Sequence, residues 1–148
     1  MAAVQLTDRA SIAALIPHQG AMCLIDEVLE WDAEQISARS GMVHQSSNPL
    51  LQDGQLYSVV LVEYAAQAAA IHAALAGAGM GRDRAAVVGA IKSLQLHVPV
   101  VAAAVTELVL TACCILNDPG GAIYQLSAQA AGETLMEARV VLVLPQRG

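Results

Sequence analysis

The chain has 148 residues, of which 56% are hydrophobic and only 14% charged, and its formal net charge is −6. This length is enough for one domain with a substantial core, and the composition is too apolar for a disordered chain. The acidic balance argues against binding to nucleic acid through a basic surface, and it provides no attraction to anionic lipid.

The first part of the chain predicts one short helix and two strands. The segment 6–16 is predicted as a helix that ends before Pro17. Strands are predicted over 22–31 and 35–43, with a tight turn between them. A loop rich in turn-forming residues follows at 44–54.

The stretch 56–76 is the most informative part of the sequence, because it predicts a helix that is apolar on every side yet carries one carboxylate, Glu63. A helix of this kind belongs in a core, where burial disfavours a charged carboxylate and raises its pKa. The chain therefore either satisfies Glu63 structurally or uses it. Gln67 lies one turn later and points the same way, so we expect it to orient Glu63 or to line a substrate pocket.

The second half of the chain predicts four strands in an antiparallel meander, at 85–98, 105–116, 122–130 and 134–144. No internal repeat or linker divides the sequence. An α+β arrangement in which an antiparallel sheet wraps around one long central helix is the hotdog fold, and we predict a single hotdog domain over 1–148. A sheet wrapped in this way leaves an open edge, so we expect at least a dimer.

The sequence gives no reason to expect a metal or any other cofactor. The three cysteines, Cys23, Cys113 and Cys114, fit no zinc-ligand spacing and are predicted to be reduced thiols of a cytoplasmic protein. The N-terminal residues do not resemble a signal peptide. Polar residues interrupt the long apolar helix, so we expect no membrane association.

Several motifs resemble the hotdog 3-hydroxyacyl-carrier-protein dehydratases. The run IPHQGAMCLIDEVLEWD at 16–32 is similar to the opening of those enzymes, and VEYAAQAAA at 62–70 is similar to their helix motif. KSLQLHVPV at 92–100 resembles the strand and turn that follow. The order HQSSNPLLQDGQL and then VEYAAQA is closer still to the ApeP-like branch, which is found with aryl-polyene pigment genes.

The resemblance implies dehydration of 3-hydroxyacyl thioesters to trans-2-enoyl thioesters, in polyene-pigment or fatty-acid-like synthesis. The substrate would be held on the phosphopantetheine arm of an acyl carrier protein. Such a reaction needs a base for the C2 proton, an acid for the departing C3 hydroxyl, and a hydrogen-bond donor for the thioester carbonyl.

The resemblance also assigns residues to these roles. Glu63 matches the helix glutamate of the family and is the candidate acid. His44 stands where the ApeP-like branch has its histidine and is the candidate base, whereas the histidine of the better-known dehydratases would fall at Pro49. The backbone amides of Ser58 and Val59, at the start of the long helix, are the candidate donors for the carbonyl.

Other interpretations of the histidines and of Glu63 stay open. Glu63 is alternatively a buried glutamate that is bonded to the backbone or to a partner chain, and His44 a solvated loop histidine. His18 is expected to pack locally at a strand entrance, and His72 and His97 are expected at an interface or on the surface.

Two alternative functions also stay open. One is a hotdog acyl thioesterase, in which the same carboxylate activates water. The other is a non-catalytic hotdog subunit that partners an active dehydratase, so that the dimer is either homomeric or heteromeric. The basic residues of the sequence are concentrated at Arg82, Arg84 and Lys92. A cluster of this kind is usually a solvated face, but an acidic carrier protein could dock there.

Overall fold

Two helices and six strands make up the parts of the chain that the computed structural model describes, residues 8–16, 20–76 and 87–143. In chain order they are α1 (Arg9–Ala13), β1 (Glu27–Trp31), β2 (Gln35–Ser40), α2 (Leu61–Leu75), β3 (Val87–Leu96), β4 (Leu108–Asp118), β5 (Gly121–Ala130) and β6 (Glu133–Val143). Single 3₁₀ turns, Gly20–Met22 and Ser58–Val60, precede β1 and α2.

Within these described ranges the six strands form one antiparallel sheet in the order β1-β2-β4-β5-β6-β3. The long helix α2 packs against β2, β4, β5 and β6. The predicted α+β hotdog arrangement, with a sheet around one central helix, is therefore confirmed.

The predicted meander of four strands is wrong for β3. Of the last four strands, β4, β5 and β6 lie side by side in chain order, whereas β3 pairs with β6 at the edge of the sheet. The long helix crosses the sheet before β3 begins, so the chain reaches the far edge first. The connection 97–107 then returns it to β4.

The core forms between α2 and the inner face of the sheet. Most of α2 is buried, including a run of alanines whose small side chains let the strands approach the helix closely. In β5 the buried positions alternate with half-buried ones, as the period of a strand requires: Ala122, Tyr124, Leu126, Ala128 and Ala130 face inward.

The helical segment Ser58–Leu75 is long and apolar enough to cross a membrane by length and composition alone. The polar side chains that it carries do not bring its mean hydropathy below that level, contrary to the expectation from the sequence. In this fold 67% of the segment is buried inside the protein, as in the core helix of a globular domain.

A buried histidine joins the C-terminal end of α2 to the sheet. His72 Nδ1 lies 2.6 Å from Tyr124 Oη, and His72 Nε2 lies 2.8 Å from the carbonyl oxygen of Asp32. Because a carbonyl only accepts, Nε2 carries the hydrogen and Tyr124 donates to Nδ1. Burial lowers the pKa of His72 and raises that of Tyr124. The expectation that His72 lies at an interface or on the surface is wrong, since it is 1% exposed.

This histidine is expected to make the protein sensitive to acid. The pKa of His72 lies below its ordinary value of 6.5 in the folded chain, so the unfolded chain binds the proton more readily. The stabilisation is therefore complete above pH 6.5 and is lost as the pH falls from there through the folded-state value. Urea unfolding at a series of pH values should show a falling free energy of unfolding over that range. His72→Gln should flatten the fall, and the exposed His97→Gln should leave most of it intact.

Candidate active site

Three segments of backbone meet at the start of α2. Residues 22–24 precede β1, residues 42–48 follow β2, and residues 99–102 follow β3. They belong to, or directly adjoin, the motifs that carried the resemblance, which lie far apart in the sequence. Hydrogen bonds attach each segment to α2 or to the turn that precedes it.

Gln67 attaches the segment 22–24 to the helix. Its Oε1 accepts from the amide of Leu24 at 2.9 Å, and its Nε2 donates to the carbonyl of Met22 at 2.7 Å. The side chain is buried, and both ends of its amide are engaged by backbone. This geometry gives Gln67 a part in holding the segment in place, while its part in substrate binding stays a prediction.

Asn48 and Tyr64 attach the segment 42–48 to the helix. Asn48 Nδ2 lies 3.0 Å from the carbonyl of Met42, 2.9 Å from that of Val43 and 2.8 Å from Tyr64 Oη. Tyr64 Oη in turn donates to the carbonyl of Met42 at 2.6 Å. Burial raises the pKa of Tyr64, which keeps its hydroxyl a donor at neutral pH. We name this arrangement of Asn48, Tyr64 and the carbonyls of Met42 and Val43 the loop clamp.

The sequence reasoning did not identify the loop clamp. Its two side chains lie in the quoted motifs, Asn48 in HQSSNPLLQDGQL and Tyr64 in VEYAAQA. Their positions in the sequence could have indicated it, because each lies in the same motif as a candidate catalytic residue. The two motifs must come together if His44 and Glu63 act on one substrate.

The ring of His44 contacts the third segment. His44 Nε2 lies 2.8 Å from the carbonyl oxygen of Ala102, so Nε2 carries the hydrogen and Nδ1 keeps a lone pair. The side chain is half-buried beside a cavity of about 220 Å³, whose lining residues are Gly41, His44, Gln45, Ala103, Val105 and Thr106. Glu63 is not part of that lining.

The third segment pairs with the turn before α2. The amide of Ser58 donates to the carbonyl of Pro99 at 3.0 Å, and the amide of Val101 donates to that of Leu56 at 2.9 Å. The amide of Ser58 is thus already engaged. Val59, the next residue of the turn, is 50% exposed, so its amide is the better candidate for a substrate carbonyl. In the described part of the chain, Ser58 Oγ is buried without a hydrogen-bond partner.

Glu63 lies in the first turn of α2 and is half-buried, so it is less enclosed than the sequence predicted. Glu63 is the direct neighbour of Tyr64, which places the loop clamp one residue from the candidate acid.

His18, Arg82 and Arg84 lie outside the described residues. No group of three His, Cys, Asp or Glu side chains suited to a metal ion occurs within the described ranges.

Solved structures share this fold. The dehydratase heterocomplex ApeI:P from Xenorhabdus doucetiae matches with a TM-score of 0.78 at 18% identity, over 92% of this chain and 91% of that chain. The PaaI protein of the E. coli phenylacetic acid degradation operon matches with a TM-score of 0.62 at 15% identity, over 91% and 88%. Thioesterase HI1161 from Haemophilus influenzae matches with a TM-score of 0.59 at 16% identity, over 81% and 78%.

A comparison with curated proteins finds no match. The model of the ApeP-like family, described as ApeP dehydratase, matches residues 10–147. This match covers the whole sheet, the central helix and the three segments that meet at its start. The chain therefore belongs to the ApeP-like dehydratase family.

Proposed function

We propose that this protein dehydrates 3-hydroxyacyl thioesters, carried on an acyl carrier protein, to trans-2-enoyl thioesters. The observation that carries the proposal is the meeting of the family motifs at the start of α2. The loop that bears His44 is bonded there to the residue next to Glu63. This elimination requires a base and an acid. The loop histidine and the helix carboxylate can supply them, because hydrogen bonds attach the loop to the helix.

In the proposed reaction, His44 Nδ1 takes the proton from C2 of the substrate. The electrons of the broken C2–H bond form the C2–C3 double bond, and the C3–O bond breaks. Glu63 gives its proton to the departing oxygen, which leaves as water. The amide of Val59 stabilises the charge that develops on the thioester carbonyl. Ala102 accepts from Nε2 in both protonation states of His44, so the ring does not have to turn during the reaction.

The test is an assay of the purified protein with 3-hydroxyacyl and 2-enoyl thioesters on a carrier protein, with products identified by mass. Loss or gain of one water supports the proposal. Release of a free acid contradicts it and identifies a thioesterase. No conversion alone, but conversion after addition of a second hotdog protein that is inactive by itself, also supports dehydration and makes the active unit a hetero-oligomer.

The proposal includes a partner subunit that pairs with β3. This strand has one neighbour, β6, and its other edge is open among the described residues. Its large apolar side chains are exposed, which is unusual for a strand facing water: Val87, Val88, Ile91, Leu94 and Leu96. The solved ApeI:P structure is a dehydratase heterocomplex, which supports a second hotdog chain, identical or related, as the partner.

We expect a lysine on β3 to break this assembly. Ile91 is 48% exposed on the edge strand, and Ile115 is 50% exposed on β4, which is not at an edge. Ile91→Lys should shift the protein from dimer towards monomer in sedimentation at micromolar concentration, and Ile115→Lys should not. A parent protein that sediments as a stable monomer, alone and with its candidate partner, would contradict the expected pairing.

A further inference from the structure

The loop clamp is a buried hydrogen-bond system whose atoms take no part in the proposed reaction. We propose that Asn48 and Tyr64 are positioning residues, which fix the backbone before His44 so that its ring is presented to the substrate. This inference rests on the proposed function, because it assigns a role in the same elimination. It adds two residues that neither contact the reacting atoms nor line the cavity beside His44.

The clamp acts on the two peptide groups that directly precede His44. The carbonyl of Met42 receives hydrogen bonds from Tyr64 Oη and Asn48 Nδ2, and the carbonyl of Val43 receives one from Asn48 Nδ2. Met42 and Val43 are themselves buried. The backbone that leads into His44 is therefore held on α2, while the ring is held at its other end by Ala102.

A side-chain hydrogen bond outside the clamp also holds the loop, from Gln45 Nε2 to the carbonyl of Gly41 at 3.1 Å. Gln45, Ser46 and Ser47, which form its tip, are exposed. The amide of Asn48 donates back to the carbonyl of Gln45 at 2.9 Å, which closes the tip into a turn, and Pro49 restricts the conformation of Asn48. Because exposed polar residues contribute almost no packing, the direction of the turn depends on the hydrogen bonds at its base, most of which belong to the clamp.

Misplacement of a catalytic group by about 1 Å is enough to lower a rate by roughly a hundredfold. Loosening the clamp should therefore reduce kcat, while KM changes little because the substrate-binding surface stays intact. A side chain that serves only the stability of the fold would instead lower the melting temperature and leave kcat of the folded protein unchanged. Measuring both kcat and the melting temperature of each variant therefore separates these roles.

The variant is Tyr64→Phe, which keeps the buried ring and removes only Oη. The matched control is Tyr124→Phe, which removes a hydroxyl of the same kind from an equally buried tyrosine at the other end of α2. With the active assembly, Tyr64→Phe should lower kcat by about tenfold or more, and Tyr124→Phe by less than about twofold. Asn48→Ala should act in the same direction as Tyr64→Phe. An unchanged kcat in Tyr64→Phe would overturn the inference.

A double-mutant cycle shows whether the clamp acts through His44. In a His44→Ala background, Tyr64→Phe should cause no further loss of kcat. An equal loss in both backgrounds would overturn the inference, because the hydroxyl would then act by another route. If His44→Ala leaves the rate unchanged while Glu63→Gln abolishes it, the inference falls and the dehydratase assignment stands.

Hydrogen exchange separates a failure of the inference from a failure of the proposed function. If the parent assembly dehydrates no 3-hydroxyacyl thioester, the proposed function fails by itself. The clamp is then judged from the amides of residues 43–48, which should exchange faster in Tyr64→Phe than in Tyr124→Phe. Equal exchange in the two variants would overturn the clamp as well.

Discussion

Glu63→Gln is expected to lower the rate of dehydration by about a hundredfold or more, with the fold retained. Glutamine has nearly the same shape as glutamate and keeps its position in the first turn of α2. Its amide has no acidic proton to give to the departing C3 oxygen. The hydroxyl must then leave as hydroxide, which is a much poorer leaving group than water. The measurement is kcat with a 3-hydroxyacyl carrier-protein thioester, with folding checked by circular dichroism.

Glu30→Gln provides the control, since it makes the same change at an exposed glutamate of β1. It should leave kcat at the parent value. A Glu63→Gln protein that turns over substrate as the parent does would remove Glu63 from the mechanism. If that turnover requires a second hotdog protein, the interpretation as a non-catalytic subunit would be preferred.

His44→Ala is expected to remove most of the rate, by about a hundredfold to ten-thousandfold, while the substrate still binds. A histidine base accepts the C2 proton only when its ring is neutral, so the parent rate should rise with pH, and the variant should lose that rise. Because Ala102 accepts from Nε2, the ring presents Nδ1 as its basic atom. The measurement is the pH profile of kcat, with affinity for a substrate analogue measured separately.

Two other histidines make this test selective. His97 is exposed beside Glu137, and His97→Ala should leave the pH profile unchanged. His18 belongs to the first family motif, and His18→Ala is the informative comparison. If His18→Ala abolishes activity and His44→Ala does not, the base has been assigned to the wrong residue.

The central helix and the sheet could be predicted because their signals are local. The stretch around Glu63 is apolar on every side, which predicts a helix that is buried on all its faces. The position of β3 could not be obtained in this way, since a strand pattern does not specify which strand lies beside it. The length of the connection 97–107 was the available clue, because a stretch of this length is not a tight hairpin.

The site was predictable as a set of motifs but not as a set of contacts. Asn48 and Tyr64 are 16 positions apart and meet only because the loop folds back over α2. The engagement of the Ser58 amide by Pro99 depends likewise on the return of the chain after β3. No local pattern reports either contact, although the resemblance brought the right segments together.

The position of β3 also has a consequence for the newly made chain. Leu96 pairs with Met136, and a ribosome that adds roughly 5–20 residues per second needs roughly 2–8 seconds to make the chain between them. During that interval neither edge of β3 has its strand partner from this chain. Its apolar side chains are therefore exposed to other nascent chains and to chaperones until β6 emerges. A chain that stops within β6 would keep that exposure permanently.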